Sequence, residues 1–184
     1  IVGQKTISDK THFTNFCENN EKMYLISSKR LAIYNQQNGQ IQYKEIPFNY
    51  SRLNCILSLG KDTIGIGTSN GIILFFAQNN QFRNVEMHFN VMRIFEDSHN
   101  ELWLFSKEQR GIVRYDPLTN EQQHYETPTQ NMPKAELRSR DVIFEDNQGT
   151  LWVVPHLGCL SYYDREDKEL KPYYTDYSKP ESKF

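Results

Sequence analysis

The strongest constraint on this sequence is that it repeats itself. The stretch Ile94-Phe95-Glu96-Asp97-Ser98-His99-Asn100-Glu101-Leu102-Trp103-Leu104-Phe105 returns as Ile143-Phe144-Glu145-Asp146-Asn147-Gln148-Gly149-Thr150-Leu151-Trp152-Val153-Val154. Each copy is followed by an apolar-x-x-Tyr-Asp phrase, Ile112…Tyr115-Asp116 and Leu160…Tyr163-Asp164. Two fainter copies lie upstream. Phe16-Cys17-Glu18-Asn19 leads into Met23-Tyr24-Leu25-Ile26-Ser27 and then Leu31…Tyr34-Asn35; Ile56-Leu57-Ser58-Leu59 leads into Ile64-Gly65-Ile66-Gly67-Thr68 and then Ile72…Phe75-Phe76. Aligning Met23, Ile64, Leu102 and Leu151 gives steps of 41, 38 and 49 residues (23 to 64, 64 to 102, 102 to 151). A unit of that size is one supersecondary element that cannot bury both its faces alone, so neighbours must stack.

The pattern within each unit is that of strands. Residues 64–68 and 72–76 are β-rich runs around Ser69-Asn70-Gly71. An Asn-Gly turn, both of whose residues tolerate positive φ, predicts a hairpin there. Asp146-Asn147-Gln148-Gly149 punctuates the fourth copy in the same way, and Asp116-Pro117-Leu118-Thr119-Asn120 ends one strand and starts another, since proline cannot feed a central ladder. No window carries a sustained helical period with caps. The chain therefore reads as all-β, four four-stranded antiparallel repeats stacked as β-propeller blades. The expected repeats are 11–50, 51–90, 91–139 and 140–177. Residues 1–10 are expected to be a strand of a preceding or closing blade, and 178–184 a polar tail.

Charge narrows the function. The chain has 184 residues and a formal charge of −2, from 21 basic and 23 acidic side chains well mixed in sequence. That balance sets up no long-range field for nucleic acid or an anionic membrane, so neither is expected as a partner. No apolar run approaches the ~20 residues of a membrane helix. The chain opens on Ile1-Val2-Gly3, without a start methionine, which suggests a processed or excised piece. Cys17, Cys55 and Cys159 are odd in number and lack ligand-like spacing, so they read as small apolar residues.

Candidate chemistry is scarce. His12, His88, His99, His124 and His156 fit no metal-ligand spacing. There is no Gly-x-Ser-x-Gly elbow, phosphate-binding glycine loop or His-Glu-x-x-His. No catalytic group, metal or cofactor is expected. Glu96-Asp97 and Glu145-Asp146 are paired carboxylates, but they recur before a turn, where aspartate bonds its own backbone. Trp103 and Trp152 hold equivalent places, which suits packing between blades better than a ligand platform. Asn49-Tyr50-Ser51 fits a glycosylation acceptor, and reads as a chance match.

Antiparallel alternation offers a candidate surface. The loop between strands two and three of a blade and the connection to the next blade must emerge on one side. Residues 107–110, 127–138 and 155–157 should share that side with Lys29-Arg30 and Ser69-Asn70. The residues on it chosen as ligand contacts are Arg110, Arg138, Arg140 and His156.

The phrase apolar-x-Glu-Asp-x-x-Gly-x-Leu-Trp, then apolar-x-x-Tyr-Asp, resembles the two-component-regulator propeller repeat. Residues 143–152 with 160–164 match closely; residues 94–103 with 112–116 do so with Asn100 for the turn glycine. The second unit keeps the family's Ile-Gly-Thr as Ile66-Gly67-Thr68, with Gly65 for the tryptophan, and the first has Tyr24 there. The resemblance implies a fragment of a larger seven-bladed propeller in the periplasmic sensor region of a hybrid two-component system of Bacteroides type, anchored in the inner membrane. It implies an oligosaccharide ligand, no catalysis in this region, and neighbouring blades of a full-length protein carrying a kinase. Four blades either close alone or form an open arc pairing as a homodimer. The alternatives are a scaffold for protein–protein interaction and a propeller enzyme, either a glycan hydrolase or a quinoprotein.

Overall fold

Short strands account for most of the described residues, which in this computed structural model are 12–60, 62–106, 111–126, 142–154 and 160–173. In chain order they are β1 (Asn15–Asn19), β2 (Lys22–Ile26), β3 (Leu31–Asn35), β4 (Ile41–Lys44), β5 (Leu53–Leu59), β6 (Thr63–Thr68), β7 (Gly71–Phe76) and β8 (Gln81–Glu86). There follow β9 (Arg93–Glu96), β10 (Leu102–Phe105), β11 (Ile112–Tyr115), β12 (Gln122–Tyr125), β13 (Val142–Glu145), β14 (Leu151–Val154), β15 (Ser161–Asp164) and β16 (Glu169–Pro172). They pair in sequence order into four four-stranded sheets, with no helix among the described residues. This is the all-β, blade-like architecture expected of the repeat. The proposed strand within residues 1–10, the loop at 127–134, the tail at 178–184 and Cys159 lie outside the described residues.

Two compact units divide the chain, Ile1–Ile94 and Phe95–Phe184. Each has a core between two successive sheets. In the first, Tyr24, Ile26 and Leu31 pack with Leu53, Ile56, Ile64, Ile66, Ile73 and Phe75. In the second, Trp103, Phe105, Ile112 and Tyr125 pack with Ile143, Leu151, Val153, Tyr163 and Leu170. The same repeat position joins sheet to sheet in both. Tyr24 of β2 meets Phe75 of the next sheet at 6.2 Å between ring centroids, and Trp103 of β10 meets Tyr163 at 4.7 Å. The Trp103 indole is fully buried, as packing between blades requires; Trp152, expected to do the same, is half-buried and meets Phe144, Tyr162 and Tyr173 instead.

The recurring aspartate does two jobs. Asp97 Oδ1 accepts from the backbone N–H of His99 (3.0 Å) and Glu101 (2.9 Å), which closes the turn, while Oδ2 accepts from Trp103 Nε1 at 2.9 Å. Asp146 repeats this with Gln148, Thr150 and Trp152 Nε1 at 2.8 Å. At the turn, Asn100 has φ +61° where Gly149 has φ +80°, so asparagine takes the left-handed place expected of glycine. The second sheet solves the same position differently. A Cβ on Gly65 would stand 2.8 Å from Leu59 Cδ1: leucine replaces the aspartate and its side chain fills the space the aromatic occupies elsewhere.

The hairpin at residues 68–71 forms, with one correction. Thr68 pairs with Gly71, so Ser69 and Asn70 make the turn, and of these residues only Gly71 has positive φ (+124°). A Cβ there would lie 2.2 Å from the Val85 carbonyl, so the glycine answers a close backbone approach as well as a turn.

Candidate ligand-binding site

The first unit carries an open concavity of about 650 Å³ lined by Lys29, Ile46, Phe48, Asn49, Tyr50, Ser51, Ser69 and Asn70. Its sides are the β2–β3 loop, the connector from β4 to β5, and the β6–β7 turn. Two of these, Lys29 and Ser69-Asn70, were expected to share a side, and they do. A second concavity of about 460 Å³ abuts it through Lys29, Ile46 and Tyr50, and adds Arg30, Tyr43, Lys44 and Glu45. Both volumes fall in the range of small-molecule sites.

The connector explains how the sequence builds this surface. Pro47 lacks the N–H a fifth strand would need, so the chain runs on extended without joining the sheet. Ile46, Phe48 and Tyr50 turn inward and pack on the core, while Glu45, Pro47, Asn49 and Ser51 are exposed. Hydrogen bonds then fix the rim. Tyr50 Oη donates to the Lys29 carbonyl at 3.0 Å, and Ser51 N–H donates to Ser69 Oγ at 2.9 Å. The backbone N–H groups of Leu53 and Ser69 donate to the carbonyls of Ser28 and Arg52, both at 3.1 Å. Asn70 is held twice, its N–H to Thr68 Oγ1 at 3.1 Å and its amide to Glu86 Oε1 at 2.7 Å.

The result is a pre-formed surface of aromatic edges, amides and hydroxyls beside a lysine. Its titratable lining side chains among the described residues are Lys29 and Tyr50. Burial pushes the Tyr50 hydroxyl above its ordinary pKa, so it stays a neutral donor. No carboxylate lines the larger concavity among the described residues, whereas glycoside cleavage uses two opposed ones.

Arg110, Arg138, Arg140 and His156, the contacts chosen from sequence, lie outside the described residues. Sequence reasoning missed Phe48, Asn49, Tyr50 and Ser51. The available signal was an apolar–polar alternation through a proline in a connector already placed on the loop side.

Carboxylates cluster elsewhere, in the second unit, where a cation holds them. Arg165 lies 3.0 Å from Asp97, 3.3 Å from Glu145 and 3.5 Å from Glu101. Arg114 also pairs with Glu101. Glu145 further accepts from the backbone N–H and the hydroxyl of Ser98, both at 2.7 Å. Burial alone would raise the Asp97 pKa, but the bonds from Trp103, Glu101 and Arg165 outweigh it and hold the carboxyl below its ordinary value. This network ties successive sheets together. Cys17 and Cys55 are free thiols; burial pushes both up to about 12, so they behave as the apolar residues their spacing suggested.

Four-stranded antiparallel sheets of this kind, packed in successive pairs within each unit, have the form of β-propeller blades. Neither a family model nor a curated protein matches the chain. Solved structures do. The extracellular domain of the one-component system BT4673 from B. thetaiotaomicron aligns with a TM-score of 0.63 at 16% identity, over 96% of this chain and 24% of its own. That of the hybrid two-component system BT3049 from the same organism gives 0.65 at 16%, over 92% and 27%. Virginiamycin B lyase from Staphylococcus aureus, crystallised with quinupristin, gives 0.71 at 13%, over 93% and 59%. The chain spans about a quarter of the two-component and one-component domains it matches. The likeness expected of the repeat, to extracellular parts of Bacteroides signalling proteins, is thus found in the fold.

Proposed function

We propose that this chain is the ligand-recognising part of an extracytoplasmic sensor, belonging to a periplasmic region of a hybrid two-component protein and responding to an oligosaccharide. The observation that carries the reading is the rim concavity. Phe48 and Tyr50 offer aromatic surface, and Asn49, Ser51, Ser69 and Asn70 offer neutral hydrogen-bonding groups, the pairing that suits a sugar's apolar faces and its hydroxyls. The fold shared with extracellular signalling domains supports it. No helix among the described residues is long and apolar enough to cross a membrane. Signalling then requires that the sugar bind two arrangements of the sensor with different affinity.

The lyase likeness favours a second reading, a propeller enzyme. One experiment separates the two. Titration calorimetry against a panel of plant and host oligosaccharides should give saturable heat for one class, weakened at least about tenfold in Tyr50→Ala, the size expected when a central aromatic contact is removed. Chromatography of the same mixtures should return the sugar unchanged. Heat unaffected by Tyr50→Ala would contradict the site, and a shortened or unsaturated product would establish the enzyme.

A further inference from the structure

In the second unit, cations sit on carboxylates: Arg114 on Glu101, Arg165 on Asp97, and Lys171 on Asp164 at 2.7 Å. The loop side of the first unit holds a different arrangement. Lys29, Arg30 and Lys44 together line the smaller of its two concavities, and Glu45 is the one carboxylate among the described residues that line it. No carboxylate among the described residues stands within ion-pair distance of Lys29 or Lys44. A chain whose formal charge is −2 thus gathers three positive side chains against one negative at a single rim.

The fold fixes where these groups stand. Ser27 Oγ accepts from the backbone N–H of Arg30 at 3.0 Å, and Ser27 N–H donates to the Arg30 carbonyl at 3.0 Å, so the β2–β3 turn that carries Lys29 and Arg30 is closed on itself. The Tyr50 hydroxyl adds a third tie, to the Lys29 carbonyl. In β4, Lys44 pairs with Leu31. Paired residues stand on one face of a sheet, so half-buried Lys44 shares the face of fully buried Leu31, on which the connector packs. The two concavities meet at Lys29, Ile46 and Tyr50. A chain of sugars seated on Phe48 and Tyr50 and continued past Lys29 therefore enters the positive concavity. A neutral sugar gains little there, whereas a carboxylate or a sulfate ester accepts charge-assisted bonds from lysine and arginine.

We propose that the oligosaccharide is an acidic one, bearing a carboxylate or a sulfate ester that Lys29, Arg30 and Lys44 bind beside the aromatic rim. This rests on the reading of that rim as a sugar site, and adds to it the charge of the ligand.

Calorimetry on matched pairs tests it, with oligouronates set against their carboxyl-reduced forms and sulfated oligosaccharides against their desulfated forms. The acidic member of one pair should bind at least about tenfold more tightly than its neutral counterpart, the product of two or three exposed ion pairs. Which pair responds tells a carboxylate from a sulfate. Raising sodium chloride from about 0.05 to about 0.5 M should reduce the preference. Lys29→Gln combined with Lys44→Gln should cut the acidic-to-neutral affinity ratio about fivefold or more, whereas Tyr50→Ala should weaken both members and leave the ratio standing. Circular dichroism checks that each variant keeps its strands. Equal affinity for both members of every pair that binds, or a ratio unchanged in the double lysine variant, would overturn the acidic ligand and leave the sugar site in place. Absence of binding in every pair would overturn both.

Discussion

Asp97 shows how much one side chain carries in a repeat of this size. One oxygen closes the β9–β10 turn through two backbone N–H groups, and the other anchors a buried indole and a guanidinium. Removing it leaves the buried Trp103 N–H without its acceptor, while Arg165, partly exposed, keeps Glu101 and Glu145. Asp97→Ala should therefore cost about 1–3 kcal/mol in urea unfolding, the range for leaving a buried donor unsatisfied. Asp146→Ala, at the equivalent but open position, should cost markedly less. Equal losses would show that burial does not separate the two sites. The turn role of both aspartates was legible in the sequence, because it depends on residues two and four places on. The indole bond was not: Trp103 lies six residues away, and only the hairpin returns it to Asp97. The exchange at Leu59 and Gly65 was hidden for the same reason, since a missing tryptophan does not announce which neighbour fills its space.

At the scale of the strand and sheet, alternation and turn chemistry showed through the sequence best. The Tyr-Asp endings, the Asn-Gly hairpin and the Asp-Pro break all mark strand ends, since each rests on local backbone rules. What stayed hidden was how sheets lock together. Arg165 has no counterpart in the sheet before it, where Pro117 follows Tyr115-Asp116, so repetition could not reveal its bond to Asp97. This junction should be acid-sensitive. The Asp97 carboxyl sits below its ordinary value, so its contribution is present above the unfolded-state pKa of about 3.9 and is lost as pH falls through the lower folded one. Asp116, Asp146 and Asp164 are lowered as well and add to the same slope. The urea midpoint should decline below about pH 4, and Asp97→Asn should flatten part of that decline. An unchanged slope in the variant would mean that Arg165 and Trp103 do not favour the ionised carboxyl.

At the scale of the molecule, sheets supply the frame, and the proposed function assigns recognition to their loop ends. Antiparallel alternation made the side legible, but not the contacts. The residues chosen there were conspicuous charges, Arg110, Arg138, Arg140 and His156, whereas the concavity is built by an aromatic connector pinned by backbone bonds. A repeat tells where ends emerge; the chemistry of an end lies in whatever departs from the repeat. Amide hydrogen exchange, with and without a saturating oligosaccharide, reads this division directly. Slower exchange is predicted in residues 48–52 and 69–70, with no change in the turns at 36–40 and 77–80, which join strands at the other end of the same sheets. Protection of those far turns instead, or of neither end, would contradict the placement of recognition on this rim.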